Sequence, residues 1–237
     1  SIARATHEHG VVTMFGLMGD ANLFMVDSFV RDYGGRFIPA AHEGSSVLMA
    51  LAYAHVSGKV GVATVTHGPA LTNCMTALTE AARGHMPMVV LAGDTPVDNP
   101  RHLQSIDQRE VVKATGAGFE QLRTPETVGK DVARAFYRAQ VERRPIVLNM
   151  PADFMWQEVT HDVQVLDVFT APGGVAQGEI LDNAIGMIAS ARRPLILAGG
   201  GAVGARDQLI QLADRLEAPL ATTLKAKGLF NNHPYNI

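Results

Sequence analysis

A single cysteine, Cys74, serves all 237 residues of this chain. That excludes an internal disulfide and a paired-cysteine metal site, and it fits a reducing, cytoplasmic setting. Excess charge of one sign is also missing: 20 Lys and Arg stand against 23 Asp and Glu, a formal net charge of -3. Without a Lys/Arg block there is no electrostatic footprint for nucleic acid. No apolar run approaches the roughly 18 residues that a membrane helix needs. No basic-then-apolar leader opens the chain. The spacings GxSxG, P-loop, HExxH and zinc finger are all missing, which removes the commonest nucleophile, phosphate and metalloprotease readings.

What is present is a core-forming composition, 47% hydrophobic and 18% charged. The length suits about one and a half to two domains. Strand-like runs at 11–17, 36–40, 60–66, 87–93, 118–122 and 145–150 alternate with helical stretches at 20–33, 44–57, 69–83, 107–115 and 125–142. Asp20 and Thr124-Pro125 read as start signals for the first and last of these helices. Several strands, such as VGVATVT, are continuous apolar runs, as expected of strands covered on both faces. The alternation predicts an α/β fold, a doubly wound parallel sheet.

The pattern breaks over 157–176 and resumes with a helix at 177–191, a strand at 194–200, a helix at 204–217 and a strand at 219–224. The expected organisation is a first domain at 1–158, a linker at 159–176 and an incomplete second, Rossmann-like α/β domain at 177–237. The chain opens inside a helical pattern, SIARATHEHG, and closes on NNHPYNI without a final element, which suggests a piece of a longer protein.

Four features carry chemistry. Glu43 follows a strand and opens a helix, at the edge of a parallel sheet where ligands bind. A first-turn glutamate is by itself ordinary dipole chemistry. However, Gly44-Ser45-Ser46 leave room beside it, and a lone carboxylate in an apolar pocket can hold and share a proton. The turn HGPALTN, 67–73, is either a plain strand-to-helix connection or a place where Gly68 and Pro69 let a flat ligand approach the backbone. GGGAVG, 199–204, fits G-x-G-x-x-G, but the next strand ends in Lys225 rather than in the acid that holds a ribose. The polar loop 94–109 offers Asp94, His102, Gln104 and Asp107 after a strand end. His7-Glu8-His9 reads as a solvated end, and Cys74 as a core residue inside an apolar helix.

In order along the chain stand FGLMGD at 15–20, HEGSSVLMALAYAHVSGKVGVATVTHGPALTN at 42–73, MPMVVLAGDTP at 86–96, RHLQSIDQ at 101–108 and RRPIVLNMPAD at 143–153. The series resembles the N-terminal, pyrimidine-binding domain of thiamine diphosphate-dependent enzymes, in the acetolactate synthase and benzoylformate decarboxylase-like branch. RRPLILAGGGAV and APLATTLKAKGLF are similar to the start of that family's central domain.

The resemblance implies that Glu43 bonds N1′ of the cofactor's aminopyrimidine and so drives the proton transfers that make the thiazolium carbon a nucleophile toward a 2-oxo acid. It implies Leu17 near the ring, Gly68, Pro69 and Asn73 in the turn over the pyrimidine, and Gln104 facing the active site. The implied activity is decarboxylation followed by carboligation. Oxalyl-CoA decarboxylase-like or sulfoacetaldehyde acetyltransferase-like chemistry is the alternative within the family.

The family's diphosphate and Mg2+ ligands, in a GDG…NN pattern, do not occur in this sequence and are expected outside it. A homo-dimer or tetramer with the site at the subunit interface is therefore implied, and FAD is open as a structural cofactor. Ala41, Met18, His67 and Ala70 replace the usual Arg, Pro, Ser and Gly, and His67 is a candidate substrate-facing acid/base. Two readings of other classes remain: a nicotinamide- or flavin-binding module built on GGGAVG, and a non-catalytic partner of another subunit.

Overall fold

In a computed structural model the described residues are 1–99, 101–157, 165–166 and 174–237. The chain divides into two compact units, Ser1–Thr170 and Ala171–Ile237. The linker expected over 159–176 lies, apart from 165–166 and 174–176, outside the described residues.

The first unit runs α1 (Ile2–Glu8), β1 (Thr13–Gly16), α2 (Leu23–Arg31), β2 (Arg36–Pro39), α3 (Glu43–Ser57), β3 (Gly61–Val65), α4 (Pro69–Thr72), α5 (Met75–Arg83), β4 (Met88–Asp94), α6 (Gln108–Thr115), β5 (Gly118–Gln121), α7 (Val128–Glu142) and β6 (Pro145–Pro151). Its six strands form one parallel sheet in the order β2-β1-β3-β4-β6-β5. The continuous apolar runs have the expected cause: every residue of β3 and β6 is buried, whereas the edge strands β2 and β5 are mostly half-covered.

Alternation along each central strand feeds two cores. Val89 and Leu91 of β4, with Ile146, Leu148 and Met150 of β6, pack beneath α1, α2 and α7. Val90 and Ala92 of β4, with Val147 of β6, pack beneath α3, α5 and α6. The doubly wound sheet expected from the alternation is the fold that forms.

Several local expectations need correction. α2 begins at Leu23 with Asn22 at its N-cap, because Asp20 turns instead to Thr66, whose hydroxyl donates to Asp20 Oδ1 at 3.1 Å. The helix expected over 69–83 is two, broken at Asn73 and Cys74, so Cys74 sits at the junction rather than inside a helix. It is nonetheless buried as expected. Of the end read as solvated, His7 and Glu8 are exposed, but His9 is half-buried and stacks on Phe136 at 4.6 Å, and Ile2, Ala3 and Ala5 of the same helix α1 are core.

The second unit contains α8 (Glu179–Ser190), β7 (Ile196–Ala198), α9 (Arg206–Leu216) and β8 (Leu220–Thr222). β7 and β8 pair in parallel, and Ala198, Ala213, Leu220 and Phe230 form a small core. GGGAVG does not open a helix directly: Gly200–Ala205 form a 3-10 turn and α9 starts at Arg206. The dinucleotide fingerprint needs strand, tight turn and helix N-terminus in succession, so this context is not met.

Candidate active site

The sheet order makes the site. The chain leaves β1 toward β2 on one side, and β3 lies on the other. Such a reversal opens a crevice at the C-terminal ends of the strands. The loops after β1 (17–22), β2 (40–42), β3 (66–68) and β4 (95–107) all emerge on this edge, because every strand runs the same way.

Register and short polar bonds fix these loops. The Leu17 N–H donates to Thr64 O at 3.2 Å. Asn22 Nδ2 donates to Leu17 O at 3.2 Å and to the Thr64 hydroxyl at 3.1 Å, and Asn22 Oδ1 accepts from the Gly19 N–H at 2.8 Å. A side chain at Gly19 would press on Thr66 at 2.7 Å, so only glycine lets the β1 loop lie this close to the end of β3.

Glu43 is the first residue of α3, with His42 as N-cap: His42 Nδ1 accepts from the Gly44 N–H at 3.1 Å. The Glu43 carboxylate accepts from Asn73 Nδ2 at 2.9 Å, a bond that spans 30 residues. The break between α4 and α5 is what brings Asn73 to this place. A Cβ on Gly44 would come within 2.9 Å of Asn73 O, so the small residue is what lets the α3 N-terminus approach. The expected apolar enclosure is not complete: in this chain Glu43 is half-buried. Its negative charge and, above all, burial push the Cys74 thiol up to about 12. Cys74 is therefore a neutral packing residue, its thiol donating to Ala70 O at 3.4 Å.

His67 is the second feature. It is only 2% exposed, its Nε2 stands 3.3 Å from Asp20 Oδ1, and its Nδ1 has no partner among the described residues. His102 from the long loop packs edge-on against it with ring centroids 5.2 Å apart. Gly68 holds φ 60°, ψ -112°, and its N–H donates to Gln108 Oε1 at 2.8 Å. The Gln104 carbonyl lies over Gly68, where a Cβ would come within 2.0 Å of it. Pro69 starts α4.

Of the residues singled out from sequence, Glu43 and Asn73 are joined directly. Gly68 and Gln104 meet through their backbones, His67 joins His102 and Asp20, and Leu17 sits on the separate β1 loop. Reasoning from sequence missed Asn22, Thr64, Gln108 and Asn149. The signal was there for two of them: Thr64 and Asn149 are lone polar residues in otherwise apolar strands, and buried polar groups require partners.

The site offers one carboxylate oxygen to a polar ligand. One oxygen of Glu43 is engaged by Asn73, and the other is uncommitted among the described residues. Glycines stand at 44 and 68, where the Asn73 and Gln104 carbonyls approach the backbone. Among the described residues no group of three or more His, Cys, Asp or Glu side chains is placed to hold a metal ion, and no helix is long and apolar enough to cross a membrane.

Comparison with known proteins identifies both units. Residues 1–111 match the family "Thiamine pyrophosphate enzyme, N-terminal TPP binding domain", and residues 181–237 match its "central domain". The chain is 34% identical to a protein of Pseudomonas aeruginosa named "Probable 2-ketoarginine decarboxylase AruI", over 97% of this chain and 42% of that protein. It is 31% identical to a sulfoacetaldehyde acetyltransferase of Rhodobacter capsulatus, over 99% of this chain and 40% of that one. It is 35% identical to the acetolactate synthase large subunit of Parasynechococcus marenigrum, over 97% and 39%. The chain thus spans about two fifths of the length of these relatives. Matched along both units, this chain is a member of the thiamine pyrophosphate enzyme family.

Proposed function

We propose that this chain supplies the activating-glutamate half of a thiamine diphosphate site in an enzyme that decarboxylates a 2-oxo acid and passes the acyl unit to an acceptor. The observation that supports this reading is the Glu43–Asn73 bond at the C-terminal edge of the sheet. When bound, the cofactor supplies a carbon nucleophile and an electron sink, which no side chain can offer. Glu43 holds a proton at its free oxygen for the ring nitrogen, and Asn73 fixes the carboxylate's orientation. The Gly68–Pro69 turn keeps the backbone low beside the ring. His67, backed by Asp20 and covered by His102, serves as acid/base on the substrate side only once the loop bearing His102 moves aside.

The Mg2+ and diphosphate ligands lie outside this chain segment, and the site is completed by a second copy in a dimer or tetramer. Names among the relatives favour one further reading of the same site, acetyl transfer to a small acceptor as in the sulfoacetaldehyde acetyltransferases.

The test is Glu43→Gln in the full-length protein. It is expected to keep thiamine diphosphate affinity within about tenfold while lowering turnover of the accepted 2-oxo acid by on the order of 10² or more. Unchanged turnover would favour a non-catalytic partner role. Turnover assays with a panel of 2-oxo acids and with sulfoacetaldehyde identify the substrate class. His67→Ser with full turnover would end the acid/base role of His67.

A further inference from the structure

A buried chain of amides runs from the C-terminal ends of β4 and β6 to the turn at Gly68. It begins at Asp94, the last residue of β4, whose Oδ2 accepts from Asn149 Nδ2 at 2.6 Å. Asn149 Nδ2 also donates to Gln121 Oε1 at 2.9 Å. Asn149 Oδ1 accepts from Gln108 Nε2, which donates in addition to Gly93 O at 3.0 Å. Gln108 Oε1 closes the chain on the Gly68 N–H at 2.8 Å. Asn149 and Gln108 are 1% and 3% exposed.

The direction of every bond is forced from the two ends. A carboxylate and a backbone carbonyl only accept, so they turn both amide nitrogens toward themselves. That leaves Gln108 with its oxygen facing the one group at the other end, a backbone N–H, that only donates. Each member fixes the next, and none is left over.

We propose that Gln108, aligned by Asn149 and Asp94, is a positioning residue for cofactor binding. It clamps Gly68 in its positive-φ conformation and so sets where Pro69, α4 and Asn73, the partner of Glu43, stand. The sheet needs no such bond for its own pairing, because the ladder between β4 and β6 is complete through backbone atoms. The network instead leaves the sheet and ends on a turn 40 residues earlier in the chain. Gln108 also opens α6, so the same contact ties the end of the 95–107 loop to that turn and seats the Gln104 carbonyl over Gly68. This inference rests on the thiamine diphosphate reading of the Glu43 side.

The experiment has one arm that needs no cofactor. In the full-length apoprotein, hydrogen exchange of peptides covering 66–74 is compared between wild type and Gln108→Leu. In a second arm, calorimetry with thiamine diphosphate and Mg2+ gives the dissociation constant. Gln108→Leu is expected to speed exchange in that segment by about tenfold and to weaken cofactor binding by about tenfold, the scale of one lost buried hydrogen bond.

Asn149→Asp sets a second carboxylate against both Asp94 and Gln121 Oε1; this repulsion pushes residue 149 away from Gln108 Nε2 and is expected to reproduce both effects. Asp94→Asn with Asn149→Asp restores a donor opposite an acceptor, the half-buried Gln121 amide turning over to donate its Nε2 to the new carboxylate, and should return both readings to within about threefold of wild type, which simple packing damage would not do. Unchanged exchange in Gln108→Leu, or faster exchange with unchanged cofactor affinity, would overturn the proposal, as would a double variant no better than Asn149→Asp alone. A wild-type protein that binds no thiamine diphosphate would sink the functional reading, and the exchange arm would still decide the clamp.

Discussion

Asp131 on α7 is 1% exposed, and its two oxygens accept from the Arg123 N–H at 3.1 Å, the Thr127 hydroxyl at 2.7 Å and Arg134 Nη2 at 2.7 Å. Arg134 also holds Glu120 of β5 at 2.7 Å, so this one carboxylate joins α7, the preceding turn and the edge strand. Asp131→Ala removes a buried acceptor from three part-buried donors and is expected to destabilise the first unit by about 1–3 kcal/mol, measured by urea unfolding. Cys74 makes a different prediction. Burial raises its thiol from the ordinary 9.0 to about 12, so below pH 9 both folded and unfolded thiols are neutral and nothing is lost. As pH rises from 9 toward 12 the unfolded thiol ionises first, and stability falls by up to about 1.4 kcal/mol per pH unit. Cys74→Ala should flatten that alkaline slope in pH-dependent unfolding. At this scale sequence was a partial guide. Glu43 stood out because small residues and a strand end surround it. Gln108 did not, because a glutamine at the start of a polar helix looks solvated until the turn it holds is folded against it.

Elements were more legible than their ends. A central parallel strand must be apolar on both faces, so β3, β4 and β6 announce themselves. What periodicity does not carry is where a helix yields to a tertiary demand. α4 and α5 part at Asn73 because its side chain is needed at Glu43, and α2 starts late because Asn22 is spent on Leu17, Gly19 and Thr64. The turn at Gly68 shows the strength of such demands. Gly10 and Gly68 both hold positive φ, 77° and 60°, but a Cβ at Gly10 meets nothing within 4 Å whereas one at Gly68 meets the Gln104 carbonyl at 2.0 Å. Gly10→Ala therefore costs only its dihedral strain, about 1 kcal/mol. Gly68→Ala must also expel the 101–108 loop. Thermal unfolding is expected to show a clearly larger fall in Tm for Gly68→Ala, and thiamine diphosphate binding a loss that Gly10→Ala does not share. Equal effects on both would mean that the loop contact contributes nothing.

The whole molecule leaves surfaces and a site that the described residues do not close. α8 exposes Ile180 at 74%, Ile185 at 54% and Met187 at 75%, and β7 exposes Leu197 at 63%, more apolar surface than a settled exterior carries. Glu43 is likewise half-open, with its second oxygen uncommitted among the described residues. The proposed site shared between protomers would answer the second of these, and it has a thermodynamic signature. If cofactor contacts come from two chains, binding and association are linked, so each must strengthen the other by the same factor. Full-length protein diluted below its dimer dissociation constant should then lose thiamine diphosphate affinity in step with its fall in sedimentation coefficient. Saturating cofactor with Mg2+ should in return shift the association midpoint to lower protein concentration. Glu43→Gln weakens only one contact across the shared site, so it should reduce this reciprocal shift without abolishing association. Cofactor affinity independent of protein concentration across the association midpoint would show instead that one polypeptide folds a complete site by itself, with Glu43 covered by its own chain.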